Sequence, residues 1–291
     1  MSDGIISNLI QNGVIKLSNI FNPQQITILS SIYTQSWNEI KTQWPLKWYT
    51  IQFNDNSKHK YDYFMGVKLY DGKQQSFYKD STILDMGLNR YDFTHNLDTI
   101  KQYLPLPTIL TDIMNLLLGP ELEYYYGGLP VLPDTLDNPK QHGFWHRDAY
   151  SLFNDELLDI SLPPFYYTIL IPLQPLDEKN GGGTEFILGS HKQTFTTNAI
   201  PITNEQELIN YLAELTIQHP YKLYCPSLNI GDIVIFSGYT IHRGLCPNHN
   251  NTRRDMLYIV CKKTWYNDEP TSNYTLLEQT QHNDHFEQTE N

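Results

Sequence analysis

Residues 231–244 read GDIVIFSGYTIHRG, and this stretch carries the clearest structural signal of the chain. A Gly-Asp turn leads into the apolar run Ile233–Phe236, which has the length and the β-branched content of a buried strand. His242 follows just beyond that strand. The pattern predicts a sheet protein in which the end of a strand positions a histidine.

Short strands of the same kind fill the second half of the chain. Runs of apolar and aromatic residues are separated by Pro, Gly, Asn and Asp, which mark turns. The strand candidates lie at 122–126, 143–149, 165–173, 184–188, 232–236 and 255–263. One helix is predicted among them at 203–215, where Thr203 and Gln206 form a capping box. Strands and helices do not alternate regularly, so the pattern favours a double-sheet jelly roll at about 122–265 over a parallel sheet.

Helices are predicted before this strand-rich part. After a short strand at 13–17, the segment NPQQITILSSIYTQSW predicts a helix with Asn22 as N-cap and Pro23 in its first turn. A second helix is predicted over TILTDIMNLLLGPE, closed by Gly119. We therefore expect a mainly β protein with flanking helices. It forms a single domain over 1–277, helical at about 13–120, followed by a polar, mobile tail at 278–291.

The composition limits the partners of the protein. Its 291 residues are 40% hydrophobic and 18% charged, as in an ordinary globular domain. The net charge of -12 disfavours binding to nucleic acid and to anionic membrane surfaces. No run approaches the roughly 20 apolar residues of a membrane helix, and the three cysteines lack metal-type spacing. We expect a cytoplasmic protein, a monomer or weak homo-oligomer, that acts on a small molecule.

The stretch GFWHRDAY (143–150) places His146 and Asp148 two positions apart in a predicted strand. Side chains at such positions share one face, so an imidazole and a carboxylate can meet on one cation. Taken alone, the motif favours a hydrogen-bonded pair, and a second His-x-Asp at 282–284 lies in the polar tail without a strand. His242 changes this interpretation. Two histidines and one carboxylate suit non-haem Fe(II) and oxygen chemistry, whereas a structural zinc site closes with another Cys or His.

Two arginines stand at the entry to the last predicted strand, in NHNNTRRDMLYIV (248–260). An arginine that enters a core needs a partner, and its planar guanidinium suits a carboxylate held by two hydrogen bonds. Arg253 and Arg254 point to opposite faces if this part is already strand, so one binds inside and the other is solvated. These residues alone leave the choice open, and a surface ion pair is the alternative for either.

With these residues in place, the chain resembles the phytanoyl-CoA dioxygenase family. The matching motifs are WHRD, YYTILIPLQPLDEKNGGGTEFILGSHK, GDIVIFSGYTIHRG and NNTRR, and the opening strand and helix also look like those of the family. The resemblance spans about 13–275, with the specific motifs between 143 and 254. It implies a double-stranded β-helix, a cupin-like jelly roll, that uses Fe(II), 2-oxoglutarate and O2.

The resemblance also implies roles for single residues. The implied iron ligands are His146, Asp148 and His242. Arg253 matches the arginine that holds the distal carboxylate of 2-oxoglutarate, and its separation of 11 residues from His242 favours it over Arg254. Thr168, in YYTIL, is a further candidate for a cosubstrate contact. The chain departs from the family before WHRD, where it offers only Lys140 in place of the basic strand residue of many members.

The expected activity is that of a dioxygenase oxidising an unactivated C–H bond of a small metabolite. Hydroxylation is the first expectation, with 2-oxoglutarate decarboxylated to succinate and CO2. Oxidative cyclisation or desaturation in specialised-metabolite biosynthesis is the alternative, while Asp148 argues against halogenation because related halogenases lack this carboxylate. The acidic balance argues against an acyl-CoA substrate and favours an amino-acid-like or specialised metabolite. Two other classes are a non-catalytic jelly-roll binding module and a zinc hydrolase with the same ligands.

Overall fold

The computed structural model describes residues 2–42, 48–53, 63–68, 83–85, 91–94, 96–131, 143, 145–149, 163–177, 182–192, 208–210, 222–246, 253–266 and 274–278. The helices are α1 (Ser2–Asn12), α2 (Pro23–Thr42), α3 (Ile100–Tyr103) and α4 (Thr108–Leu118), with 3₁₀ turns at Leu97–Thr99 and Ser190–Lys192. The strands are β1 (Val14–Leu17), β2 (Trp48–Phe53), β3 (Tyr63–Lys68), β4 (Ile83–Asp85), β5 (Tyr91–Phe93), β6 (Leu122–Gly128), β7 (Tyr166–Pro172), β8 (Thr184–Ile187), β9 (Leu223–Tyr224), β10 (Ile233–Ser237), β11 (His242–Gly244), β12 (Met256–Lys263) and β13 (Tyr274–Glu278).

Both helices predicted in the first 120 residues are confirmed. At the start of α2, the Gln25 N–H donates to Asn22 Oδ1 at 2.9 Å, and the Asn22 N–H donates to Gln25 Oε1 at 2.8 Å. This reciprocal pair satisfies two backbone donors that the first helical turn leaves without partners. At the other end of the region, α4 stops at Gly119, whose φ of 76° is a conformation that glycine adopts at little cost.

Two antiparallel sheets form the body of the protein. The large sheet has the order β1-β10-β7-β12-β6-β5-β4-β3-β2-β13, and the small sheet has the order β11-β8-β9. Five predicted strands correspond to β6, β7, β8, β10 and β12. The sheets pack face to face, since the rings of Phe186 in β8 and Phe236 in β10 have centroids 5.1 Å apart. This packing confirms the predicted jelly roll.

The segment between α2 and α3 differs from the prediction. We expected the region at about 13–120 to be helical after its first strand, and this is wrong for the described residues between 48 and 93, which form strands. There β2, β3, β4 and β5 extend the large sheet beyond β6 by antiparallel pairing, with Phe93 opposite Gly128. The physical reason lies in runs such as WYTIQF in β2, whose aromatic and β-branched residues favour strands.

The alternation of side chains along β12 divides the core into two clusters. Odd-numbered residues of 257–261 pack with Tyr33 and Trp37 of α2 on the outer face of the large sheet. Even-numbered residues of 256–260 pack with Phe186 and Phe236 in the space between the sheets. Because successive strand residues face opposite sides, this parity determines which side chains reach the inner space.

Some predictions concern residues outside the described ranges. The helix predicted at 203–215 is described only at 208–210, which are helical. Of the tail predicted at 278–291 only Glu278 is described, as the last residue of β13. Within the described part of the chain, no helix has the length and apolar character required to cross a bilayer.

Candidate metal centre

The three predicted iron ligands meet at one point between the sheets. Asp148 Oδ1 lies 3.7 Å from His146 Nε2 and 3.4 Å from His242 Nε2. One possible ligand atom from each of the three residues lies within 4.8 Å of those from the other two. The side chains of His146 and Asp148 are each 21% exposed, whereas that of His242 is 7% exposed. The cluster therefore joins one buried histidine to two side chains that solvent still reaches.

This donor set fits a divalent first-row metal ion. Imidazole nitrogen and carboxylate oxygen bind such ions at about 2.0–2.2 Å, so neighbouring ligand atoms around an octahedral ion lie about 3 Å apart. The two separations, 3.4 and 3.7 Å, lie close to this value. Two histidines and one carboxylate occupy one face of the octahedron and leave the opposite face for small ligands.

Backbone pairing brings the first histidine to the second. His146 and His242 form an isolated antiparallel bridge, in which each N–H donates to the carbonyl of the other at 2.9 Å. The strand predicted at 143–149 is therefore shorter than expected, because the described residues there pair only around this bridge. Beyond it the backbone bends, and the Asp148 N–H donates to the Gly238 carbonyl at 3.0 Å. This bend still presents Asp148 on the side of the imidazoles.

The ring of His242 is held in one orientation. Its Nδ1 lies 2.9 Å from the Thr240 carbonyl, which only accepts, so the hydrogen bond assigns the proton to Nδ1 and leaves the Nε2 lone pair for a metal. Phe236 packs against the ring at a centroid distance of 4.6 Å, and Phe186 lies parallel to it at 5.8 Å. The apolar contacts and the carbonyl together fix both the tautomer and the direction of Nε2.

Asp148 is held from the large sheet by Thr168 of β7. Thr168 Oγ1 donates to Asp148 Oδ2 at 2.7 Å. Burial raises the pKa of Asp148, but the neighbouring His242, with smaller contributions from His146 and the Thr168 hydroxyl, holds it below its ordinary value. The carboxylate is therefore ionised at neutral pH, as a metal ligand must be. The hydroxyl proton of Thr168 goes to Asp148, and the cosubstrate contact expected of this residue stays a prediction.

The loop that precedes His242 is tied to the LGSHK turn. Ser190 Oγ donates to the Ile187 carbonyl at 2.7 Å and accepts the Ile241 N–H at 2.9 Å. His191 Nε2 lies 3.0 Å from the carbonyl of Ile10 in α1. This geometry agrees with the prediction that Ser190 and His191 fasten the loop, and it places the His191 ring on a helix rather than on the ligand cluster.

Arg253 lies on the outer face of the large sheet, away from the ligand cluster. Its Nε and Nη2 donate to the two carboxylate oxygens of Asp255 at 2.6 and 2.7 Å. Its guanidinium carbon lies 5.6 Å from the centroid of the Trp37 ring in α2. The expected inward position of Arg253 is therefore not observed, because the alternation of this segment turns the side chain towards the helices.

Arg254 occupies the inner face in its place. The residue is 3% exposed, and its backbone bridges to Val131 beyond the end of β6. Its Nη1 donates to the Gly182 carbonyl, just ahead of β8, so the side chain crosses from the large sheet to the small one. Arg254 shares the parity of Met256 and Tyr258, which face the inner space. The alternation of side chains in TRRDMLYIV indicates that Arg254 faces inward, but the spacing of 11 residues from His242 favoured Arg253.

One further polar pair on the inner face was missed by the sequence analysis. The hydroxyl of Tyr258 in β12 donates to Asp92 Oδ1 in β5 at 2.9 Å. The signal in the sequence is an acid between two aromatic residues, Tyr91 and Phe93, in a segment that was not predicted as strand. It is a weak signal, because the partner lies 166 positions away.

No family model and no curated protein matches the chain. Solved structures match it at low sequence identity. The α-ketoglutarate-dependent carbocyclase SnoK from nogalamycin biosynthesis is 13% identical, with a TM-score of 0.55 over 90% of this chain and 84% of SnoK. EctD from S. alaskensis, solved with 2-oxoglutarate and 5-hydroxyectoine, is 16% identical, with a TM-score of 0.55 over 90% of this chain and 76% of EctD. HygX from Streptomyces hygroscopicus, with nickel and 2-oxoglutarate bound, is 12% identical, with a TM-score of 0.54 over 92% of this chain and 89% of HygX.

At these identities the likeness concerns the fold, and it extends over at least 90% of this chain in each comparison. It agrees with the two face-to-face antiparallel sheets seen between β8 and β10. The chain has the double-stranded β-helix fold that the sequence predicted, and it shares this fold with SnoK, EctD and HygX.

Proposed function

We propose that the protein is an Fe(II)- and 2-oxoglutarate-dependent oxygenase that oxidises a C–H bond of a small molecule. The observation that carries the proposal is the cluster of His146, Asp148 and His242, which brings two nitrogens and one oxygen together as the ligand set that would hold the iron. A site with three protein ligands and open positions suits a metal that binds further reactants, whereas a structural zinc site has four protein ligands.

The residues of this chain would hold the metal through His146 Nε2, His242 Nε2 and Asp148 Oδ1. Thr168 keeps the second oxygen of Asp148 occupied, so that one oxygen faces the histidines. When bound, Fe(II) supplies the activation of O2 and the oxidative decarboxylation of 2-oxoglutarate to succinate and CO2, coupled to oxidation of the substrate. The inner rings of Phe186 and Phe236 line the buried side of the cluster and keep bulk water from it.

We assign the distal carboxylate of 2-oxoglutarate to Arg254 in place of Arg253. Arg254 is buried between the sheets, on the inner face that also carries Tyr258 and Val260. Val260, six residues further along the same face of β12, pairs with Thr168, the partner of Asp148, so Arg254 and the ligand cluster face the same inner space. A guanidinium in that position can donate to a carboxylate with a planar pair of N–H groups.

The fold comparison supports this reaction class, and the similar enzymes suggest two possible outcomes for the oxidation of the substrate. EctD was solved with 2-oxoglutarate and 5-hydroxyectoine, a hydroxylated compound, and hydroxylation is the outcome that we propose first. SnoK is a carbocyclase and SnoN, at a TM-score of 0.52, is an epimerase. Oxidative cyclisation is therefore the second candidate outcome. We propose the cytoplasm as the compartment, which suits a chain with only three cysteines.

Consumption of the cosubstrate tests the proposal. The purified protein would be incubated in air with Fe(II) and 2-oxoglutarate, and the succinate formed would be measured with and without the metal. We expect slow succinate formation that depends on Fe(II) and disappears in His242→Ala. Asp112→Ala, which changes an exposed carboxylate of α4, is the control and should behave as the wild type. A folded wild-type protein that forms no succinate above the metal-free level would overturn the assignment.

A further inference from the structure

A carboxyl–phenol pair faces the space between the sheets from the wall formed by β5, β6 and β12. Asp92 stands in β5 between Tyr91 and Phe93, whose rings each lie 5.6 Å from the Trp37 ring in the outer core. Since neighbouring strand residues face opposite sides, Asp92 points to the inner side, where the ligand cluster lies. Its side chain is half-buried, so the carboxyl group is within reach of small molecules.

The sequence of β6 makes room for the partner of this carboxyl group. Tyr258 and Gly127 are directly opposite each other on β12 and β6. A Cβ at Gly127 would lie 2.0 Å from the Tyr258 ring, so the ring passes over β6 only because a glycine stands there. The phenol thereby reaches across one strand and donates to Asp92 Oδ1 at 2.9 Å. Three strands thus cooperate to build the pair.

The surroundings of the Asp92 carboxyl group favour its uncharged form. Burial raises the pKa of Asp92 to about 7; the hydrogen bond from Tyr258 lowers it, and the negative charge of Asp148 raises it. Asp148, which Thr168 holds from the inner face of β7, faces the same space. Among the residues that the structure describes, no lysine, arginine or histidine forms an ion pair with Asp92. A protonated amine of a bound molecule can supply the positive charge that favours the ionised form of a carboxyl group in such a place.

We propose that Asp92 and Tyr258 bind a positively charged nitrogen of the substrate, so that the molecule oxidised at this centre is an amine. An ammonium group carries three donors, and it can give one to the free lone pairs of the Asp92 carboxylate and another to the Tyr258 oxygen. The net charge of -12 favours the approach of a cation. This inference rests on the proposed function, because it specifies the substrate class of the same centre.

A matched set of probes tests the inference. The protein would be loaded without oxygen with Fe(II) and 2-oxoglutarate, and the visible absorption of the iron chelate would be followed during titration with putrescine, spermidine and glucosamine. Their fully N-acetylated counterparts, N,N'-diacetylputrescine, triacetylspermidine and N-acetylglucosamine, carry no positive charge and are the matched neutral probes. We expect at least one amine to perturb the absorption at a concentration about tenfold lower than its N-acetyl counterpart, as one charge-assisted hydrogen bond supplies.

Variants locate that preference. Asp92→Asn keeps the shape and the acceptor for Tyr258 but removes the charge, and it should abolish the preference for the amine. Tyr258→Phe keeps the ring over Gly127 and should reduce the preference by a smaller factor. Asp112→Asn removes the same charge from an exposed position of α4 and should leave the preference intact. A merely structural role of Asp92 would weaken both members of a probe pair equally.

The outcomes separate the two proposals. If the wild type forms no iron chelate with 2-oxoglutarate, the proposed function fails first. If the chelate forms but the wild type responds to no amine, or responds to amines and N-acetyl amines alike, the amine assignment is overturned. A preference that persists in Asp92→Asn overturns it as well. If Asp92→Asn does not fold, an undiminished preference for the amine in Tyr258→Phe overturns the amine assignment instead.

Discussion

Thr168 Oγ1 donates a hydrogen bond of 2.7 Å to Asp148 Oδ2, while Asp148 Oδ1 lies 3.4 Å from His242 Nε2. The bond connects β7 of the large sheet to a ligand that belongs to the segment paired with the small sheet. The segment that carries Asp148 therefore pairs with the small sheet, while the large sheet orients the Asp148 carboxylate. Substitution of groups that orient ligands in this way typically lowers metal affinity about 10–100-fold.

Removal of the Thr168 hydroxyl should weaken metal binding. Thr168→Val preserves the shape of the side chain, and we expect its affinity for Fe(II) to fall about 10–100-fold, because Asp148 loses the bond that sets its orientation. Thr168→Ser retains the hydroxyl and should restore most of the affinity. Competition with a chromogenic chelator under anaerobic conditions measures both variants. Equal affinities of Thr168→Val and the wild type would show that the hydroxyl does not position Asp148.

The two arginines should respond differently to substitution. Arg254→Met removes the proposed partner of the distal carboxylate, and we expect the concentration of 2-oxoglutarate at half-saturation to rise about 10–100-fold. Arg253→Met breaks the outer pair with Asp255 and should change that concentration less than about twofold. Titration of the Fe(II)-loaded protein with 2-oxoglutarate measures both variants, after circular dichroism has verified their fold. The reverse order of effects would return the role to Arg253.

The buried carboxyl of Asp92 should make stability depend on pH. Its pKa is raised from 3.8 to about 7, so the native state binds more protons than the unfolded state between these values. The free energy of unfolding then falls as pH rises from about 4 to 7, by at most about 4 kcal/mol from this group. Asp92→Asn removes the effect and should be more stable than the wild type at pH 8, but not at pH 4. Urea unfolding of the metal-free proteins tests this, and a stability difference that is the same at both pH values would contradict it.

The turn at Asp232 should contribute to stability rather than to metal binding. The carboxylate lies 2.9 Å from Lys16 Nζ of β1 and accepts the N–H groups of Asn19 and Asn229 at 3.1 and 3.0 Å. Asp232→Ala leaves these donors without their acceptor, and it should cost about 2 kcal/mol in the free energy of unfolding. Asp98→Ala, which breaks an exposed pair with Lys101, should cost less than about 0.5 kcal/mol. Similar costs for the two variants would show that the turn is not a structural requirement.

The parts of the fold that the sequence predicted are those encoded by local pattern. The strand at 233–236 is an uninterrupted apolar run, and α2 begins with a capping pair only three residues apart, Asn22 and Gln25. His146 and Asp148 are likewise separated by one residue. Neighbouring residues determine the strand and the helix start, so local spacing is sufficient evidence for them, whereas His146 and Asp148 could be interpreted as ligands only together with His242.

The parts that the sequence did not predict depend on contacts between distant segments. β2 to β5 are stabilised by edge-to-edge pairing that reaches the core sheet at Phe93 and Gly128, which no local period shows. The bond between Asp92 and Tyr258 depends equally on a glycine in a third strand. The inward position predicted for Arg253 was wrong for a different reason. The residue count from His242 favoured Arg253, but the side chain that faces inward is decided by the parity of β12, which selects Arg254.

The most direct test of the account is a spectroscopic titration of the metal centre. Metal-free protein would receive Fe(II) without oxygen and then 2-oxoglutarate, and the visible charge-transfer band of the iron chelate would be recorded for the wild type, Asp148→Ala and His242→Ala. The account predicts a band in the wild type that saturates at one iron per chain and is lost in both variants. A folded wild-type protein that binds iron without developing this band, or variants that retain it in full, would contradict the central claim.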